Sequence, residues 1–269
     1  MSKIWFITGS SRGLGRQFAD AALARGDKVA ASARDTASLA GLVAAYGDAV
    51  LPLALDVSDK AAVSAAVQQA HAHFGALDFV VNNAGYGVFG AVEEVSEQDV
   101  RTQFETNVFG SLWVTQAALP FMRAQGSGHV FMLSSLLGQA SFATTGIYSA
   151  SKAAIEGLAD ALAQEVAAFG IKVTIIEPGP FGTGFAGSAV YAAPLAAYAP
   201  VHEAVGASFA SMPVADPALV GPALLQLADA AKPPLRIFFG PVAAQVVPHV
   251  YAERLATWAA WAHVGSGQA

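Results

Sequence analysis

The sequence predicts an α/β fold: a doubly wound parallel sheet of about seven strands, covered by helices on both faces, in one domain spanning residues 1–269. Three observations carry this. Short apolar, β-branched runs alternate with Ala-rich stretches of helical period, as strand–helix–strand crossovers require. Hydrophobic residues make up 54% and charged residues 13%, which suits a sheet buried on both faces. The first strand-like run also ends in a glycine-rich turn that opens directly onto a helix.

The predicted strands lie at 3–8 (KIWFIT), 28–33 (KVAASA), 50–55 (VLPLAL), 77–81 (LDFVV), 129–134 (HVFMLS), 171–176 (IKVTII) and 235–239 (LRIFF). Between the fourth and fifth, a helix over about 97–124 places Val100, Phe104, Val108, Leu112, Thr115, Leu119 and Met122 three or four apart. A second long helix over about 148–169 does the same with Ile155, Leu158, Leu162, Val166 and Phe169. After 178 the pattern loosens into a Gly-, Pro- and aromatic-rich stretch, followed by helices at about 216–230 and 242–262. No repeat, charge run or linker divides the chain.

Composition excludes several functions. The 14 Lys and Arg against 20 Asp and Glu give a net charge of −6 with no basic run, so nucleic acid and anionic membrane surfaces are not expected partners. With no cysteine, disulfides, thiolate catalysis and cysteine-based metal sites are ruled out, and no metal site is expected. MSKIWFITG has no charged n-region followed by a long apolar run, which makes the cytoplasm the expected location. The uncharged stretches 129–151 and 178–202 are long enough to suggest membrane spans, but serines, threonines and prolines mark them as buried or pocket-lining segments.

The predicted strand ends share one chemistry. Thr8, Arg34, Asp56, Asn82, Ser135 and Pro178 fall at the carboxyl ends of successive strands, the edge where open α/β sheets bind ligands. TGSSRGLG, at 8–15, provides glycines at 9, 13 and 15, which let backbone amides and the following helix N-terminus approach a phosphate. Tyr148 and Lys152, in IYSASKAAI, stand four apart and share a helix face. An ammonium about 4 Å from the phenol, at an effective dielectric near 20, contributes about 4 kcal/mol, enough to bring the phenol from about 10 to near 7.

In this order, TGxxxGxG, NNAG at 82–85, Asn107 in ETNVFG, the serine pair 134–135, YxxxK at 148–152 and PG at 178–179 resemble the short-chain dehydrogenase/reductase family, over roughly residues 3–240. The branch with VNNAGYG and EPGPFGT is similar to 17β-hydroxysteroid dehydrogenases and related oxidoreductases. The resemblance implies a Rossmann-type fold and a nicotinamide cofactor. It also implies a catalytic set of Asn107, Ser135, Tyr148 and Lys152, with Tyr148 as proton donor, Ser135 on the same substrate oxygen, Lys152 on the nicotinamide ribose and Asn107 anchoring a water that relays protons to Lys152. Cofactor contacts would come from Gly9, Ser11, Arg12, Gly13, Leu14 and Gly15, from Arg34, from Asp56 and Val57, from Asn83, Ala84 and Gly85, from Tyr148 and Lys152, and from Pro178, Gly179, Phe181 and Thr183. Asn82 would support the loop around the cofactor, and Ser134 would face away.

The end of the second strand chooses the cofactor. NAD-preferring relatives carry a carboxylate where this chain has Ala33, followed here by Arg34; with Arg12, the basic groups point to NADP(H) over NAD(H). Asp35 could instead pair with Arg34 or turn toward a ribose. The stretch 180–215, the substrate lid by resemblance, has no Lys or Arg and the single carboxylate Glu203, so an apolar ketone, aldehyde or alcohol is expected, met by Ser135, Tyr148, Phe181, Phe185 and Tyr191. The resemblance also implies a homodimer or homotetramer built through the two long helices. The rival readings are an NAD-dependent alcohol or hydroxysteroid dehydrogenase, a non-catalytic NADP(H)-binding sensor or scaffold, and a sugar-nucleotide epimerase or dehydratase; TGxxxGxG and the short C-terminal region argue against the last.

Overall fold

The computed structural model describes residues 2–267. Among the described residues nine strands form, β1 (Ile4–Ile7), β2 (Lys28–Ala33), β3 (Val50–Ala54), β4 (Phe79–Asn82), β5 (Val88–Phe89), β6 (Gly128–Leu133), β7 (Ile171–Pro178), β8 (Val190–Tyr191) and β9 (Arg236–Phe239). Seven make one parallel sheet in the order β3-β2-β1-β4-β6-β7-β9, and β5 pairs with β8 apart from it. The helices are α1 (Gly13–Ala24), α2 (Ala40–Tyr46), α3 (Lys60–Phe74), α4 (Glu97–Phe104), α5 (Gly110–Gln125), α6 (Leu136–Gln139), α7 (Gly146–Val166), α8 (Ala199–Ser211), α9 (Val220–Asp229) and α10 (Pro241–Ser266).

Alternation along each strand divides the core. From β1, Ile4 and Phe6 enter the layer that packs on α3, α5 and α7, while Trp5 and Ile7 enter the opposite layer under α1 and α9. Both faces are therefore dry, as the low charge content requires. The sheet order reverses between β1 and β4, and a crevice opens at the carboxyl ends beside that point.

Several elements differ from the sequence pattern. The helix expected at 97–124 is α4 and α5 joined by a π turn over Glu105–Phe109. The extra residue rotates the register, so the buried line runs through Gln103, Asn107, Ser111, Val114, Ala118 and Met122, whereas Val100, Phe104, Leu112 and Leu119 are only partly buried. Phe169, expected on the apolar stripe of α7, is 43% exposed because the helix ends at Val166. The loose stretch after 178 contains β8 and α8, whose buried face is too small to leave a helical stripe in the sequence. That stretch closes on itself: Gly182 N donates to Ala215 O at 2.9 Å and Ala215 N donates to Pro180 O at 3.0 Å. No helix among the described residues is long and apolar enough to cross a membrane.

Candidate active site

The carboxyl edge of the sheet opens into a cavity of ≈1590 Å³. One half is built around the loop after β1. Thr8 sits at its root, where Oγ1 accepts from Asn83 N at 2.9 Å and Ala84 N at 3.0 Å, while Asn83 Nδ2 donates to Thr8 O at 2.8 Å and Gly9 O at 3.1 Å. Support for the loop thus comes from Asn83. Asn82, expected in that role, turns its amide away and donates to Thr115 Oγ1 at 3.0 Å. Gly9 and Gly13 have φ +67° and +59°, and a side chain at Gly15 would run into the Asn83 amide and Gly9 O. A Cβ at Gly13 would project across the cleft to within 3.7 Å of Thr183, so the bare backbone leaves room for a ligand between loop and Thr183.

Gly9, Ser11, Arg12, Gly13, Leu14, Arg34, Asp56, Val57, Asn83, Ala84, Gly85, Pro178, Gly179, Phe181 and Thr183 all line the cavity. Gly15 lies buried behind them at the start of α1, shaping the loop without facing the cavity. Arg12 and Arg34 are exposed at the rim, and the ion pairs among the described residues involve neither. Asp35 makes no ion pair with Arg34 and caps the turn at Thr36–Leu39, accepting from Ala37 N at 2.9 Å. Burial opposes ionisation of Asp56, but bonds from Ser58 N (3.0 Å) and Ser58 Oγ (2.7 Å), with Arg34 nearby, hold its carboxyl below the usual range.

The candidate reactive groups Ser135, Tyr148 and Lys152 line the same cavity as the loop. Ser135 caps α6, its Oγ accepting from Leu137 N at 3.1 Å, and Tyr148 and Lys152 project from the first turns of α7. All three are buried and line the cavity. Lys152 Nζ donates to Leu133 O at 2.7 Å and lies 5.7 Å from the centre of the Tyr148 ring. Ser134 faces away, its Oγ directed at Lys152 O. Asn107 sits in the π turn, directly behind Gly85: Nδ2 donates to Tyr86 O at 2.9 Å and Ser151 Oγ at 3.2 Å, and Oδ1 accepts from Tyr86 N at 3.1 Å.

Charge here is governed by burial. It pushes the Tyr148 phenol above its ordinary value, with the Ser135 hydroxyl pulling the other way, and pushes Lys152 down to about 8 against the opposing field of Glu156. A phenol near 7, expected from the lysine alone, does not result. Desolvation of the phenol acts against the field of the lysine, whose ammonium lies 5.7 Å from the ring centre.

The other half of the cavity is apolar. The Tyr148 ring lies 5.6 Å from Phe89 and 5.7 Å from Phe185, with Tyr191 5.7 Å from Phe89 and Phe142 6.3 Å from Phe209. Phe89, Phe142, Phe209 and Met212 are lining residues that sequence reasoning missed. They carry no motif, although Phe209 stood in the aromatic-rich stretch. The wall is tied down through Glu94, whose carboxylate meets His202 Nε2 at 2.9 Å and accepts from Leu195 N at 2.8 Å and Ala91 N at 2.7 Å, and through Tyr198, which donates to Glu93 at 2.7 Å. Enclosure works against the charge on Glu94, but these donors hold its carboxyl below the usual value.

Fold and site together define a class, the α/β oxidoreductases built on an open parallel sheet. Within it, the chain belongs to the short chain dehydrogenase family, whose model matches residues 3–192. It is 42% identical over 252 residues to oxidoreductase BOA17 of Botryotinia fuckeliana, a match covering 91% of each chain. Among solved structures, a short-chain dehydrogenase from Streptomyces avermitilis superposes with TM-score 0.94 at 41% identity, covering 100% of this chain and 98% of the other. A Burkholderia phymatum short chain dehydrogenase/reductase in complex with NAD (TM-score 0.82, 26% identity) covers 94% of this chain and is itself 95% covered. An alcohol dehydrogenase from Thermococcus sibiricus complexed with 5-hydroxy-NADP (TM-score 0.73, 25% identity) covers 89% of this chain and is itself 96% covered.

Proposed function

We propose that the protein is a nicotinamide-dependent reductase of apolar ketones or aldehydes, with NADP(H) preferred, also able to oxidise the corresponding alcohols. The observation that carries this reading is the placement of Tyr148, Ser135 and Lys152 at the junction of two half-cavities, one walled by a glycine loop and guanidinium groups, the other by phenyl rings. The bare loop suits a pyrophosphate, and Arg12 and Arg34 supply unpaired positive charge for a ribose 2′-phosphate. When bound, the cofactor supplies the hydride.

The chain's own residues handle the proton. A phenol raised by burial stays protonated at neutral pH, the form that donates to an oxygen as it gains negative charge. Ser135 Oγ lies on the same side and stabilises that oxygen. Lys152, held by Leu133 O, keeps an ammonium near the phenol and eases its loss of a proton. Phe89 and Phe185 flank the ring, with Tyr191 against Phe89, and would press the apolar body of a substrate against it, in keeping with the 180–215 lid that carries Glu203 alone among Asp, Glu, Lys and Arg.

A panel of carbonyl compounds assayed by NADPH and NADH consumption tests the reading. Neutral aryl or alicyclic ketones should turn over faster than anionic keto acids, and faster with NADPH. Turnover of none of them, or preference for the keto acids, would overturn it.

A further inference from the structure

Further along the face of α7 that carries Tyr148 and Lys152, four other elements converge on one buried acidic pair. Glu156 stands one turn after Lys152 and is 6% exposed; Glu177, near the end of β7, is 1% exposed. Arg236, at the start of β9, donates from Nε to Glu156 Oε2 at 3.0 Å and from Nη2 to Asp160 Oδ2 at 2.5 Å, and its Nε lies 3.7 Å from Glu177 Oε1. From α6, Gln139 Nε2 donates to Glu177 Oε1 at 3.0 Å, and from α10 the Tyr251 hydroxyl donates to Gln139 Oε1. Two oxygens of the cluster, Glu156 Oε1 and Glu177 Oε2, are buried without a partner.

Two buried carboxylates on a single guanidinium, each with an orphan oxygen, are costly when both are ionised. One proton held between those oxygens satisfies both and removes a charge. We infer that Glu156 and Glu177 share one proton, and that the pair, acting through its field on the next turn of α7, controls the pH range over which Lys152 stays charged; Glu156, Glu177 and Arg236 are then positioning residues for the reaction. This rests on the reading of Lys152 in the proposed function.

The charged and titratable groups facing the pair are Lys152 and Asp160 on α7, Arg236 on β9 and Tyr251 on α10. Burial and Glu156 push Glu177 up to about 7, and Lys152 sits at about 8 with Glu156 opposing its fall. When the pair loses its proton, the proton leaves toward the cavity of ≈540 Å³ lined by Gln139, Asp160, Glu177, Arg236 and Tyr251. A second negative charge then appears one turn from the ammonium, in the pH range where burial would strip it.

Glu177→Gln mimics the protonated carboxyl and keeps its hydrogen bond. In the full-length variant the alkaline limb of kcat/KM for carbonyl reduction should move down by about one pH unit, while the rate at pH 6 stays within about twofold of wild type. Glu156→Gln should shift the limb in the same direction. Wild-type protein should show an infrared carboxylic-acid C=O band that disappears between pH 6 and 8 and is missing from both variants. An unmoved alkaline limb, or a wild type without the band, overturns the inference. The band needs no substrate, so a wild type that shows it but reduces no carbonyl sinks the functional reading alone.

Discussion

At the residue scale, the decisive contrast is between Tyr148 and the groups that merely hold it. Tyr148→Phe keeps the ring contacts to Phe89 and Phe185 but removes the proposed proton donor. Reduction should fall by about 100-fold or more with NADPH affinity within about twofold, measured by fluorescence titration. Arg34 separates along the other axis. Replacing it with Asp should weaken NADPH binding at least about tenfold and leave NADH binding level or improved, since a carboxylate repels a 2′-phosphate and accepts from a free ribose hydroxyl. Equal NADPH titrations for wild type and variant would remove Arg34 from the phosphate site.

At the scale of elements, the seven strands of the main sheet and the helix α7 were legible in the sequence because each buries a repeating apolar face, whereas β5, β8 and the break between α4 and α5 were not. The candidate site was legible through the family resemblance of the glycine loop, Ser135 and the Tyr148–Lys152 pair, and the structure brings Ser135, Tyr148 and Lys152 to one cavity. What could not be read was geometry that leaves no period. The π turn at Asn107 adds one residue without altering composition, α8 has no fully buried residue, and Asn83 and Asn82 look alike until the strand end decides which one turns toward Thr8. Gly138 is a further case: a Cβ there would come within 2.6 Å of Ser134 Oγ and 3.2 Å of the Lys152 backbone, so α6 and α7 approach closely only through it. The segment 180–215 yields a prediction of its own. Glu94→Ala would release His202 and the amides of Leu195 and Ala91 together, and charged hydrogen bonds of this kind contribute enough that KM for a bulky ketone should rise about tenfold. Limited proteolysis should cut 180–215 faster in the variant; unchanged KM and cleavage would mean that Glu94 does not secure the wall.

For the whole molecule, two of the buried titratable groups, His129 and Glu177, set opposing slopes of stability against pH. His129 is 2% exposed and meets Thr174 Oγ1 through Nε2 at 2.9 Å, while Nδ1 is buried without a partner; burial, with Lys172 nearby, lowers its pKa from 6.5 to about 3. The native ring therefore refuses a proton that the unfolded chain accepts, so stability is full above pH 6.5 and lost progressively as pH falls toward 3. At about 1.36 kcal/mol per unit, this amounts to about 2 kcal/mol at pH 5. Glu177 acts the other way. Its folded value, about 7 against 4.5, means that the native state holds a proton the unfolded chain releases, so its contribution is full below pH 4.5 and lost as pH rises through 7. Between pH 7 and 5 the two slopes offset, and wild-type stability should change little there on their account. His129→Gln retains a side-chain hydrogen-bonding group that does not titrate, so denaturant unfolding of this variant should become more stable relative to wild type by about 2 kcal/mol on going from pH 7 to 5. A difference that is flat in pH would show that His129 takes up its proton equally in the folded and unfolded chains.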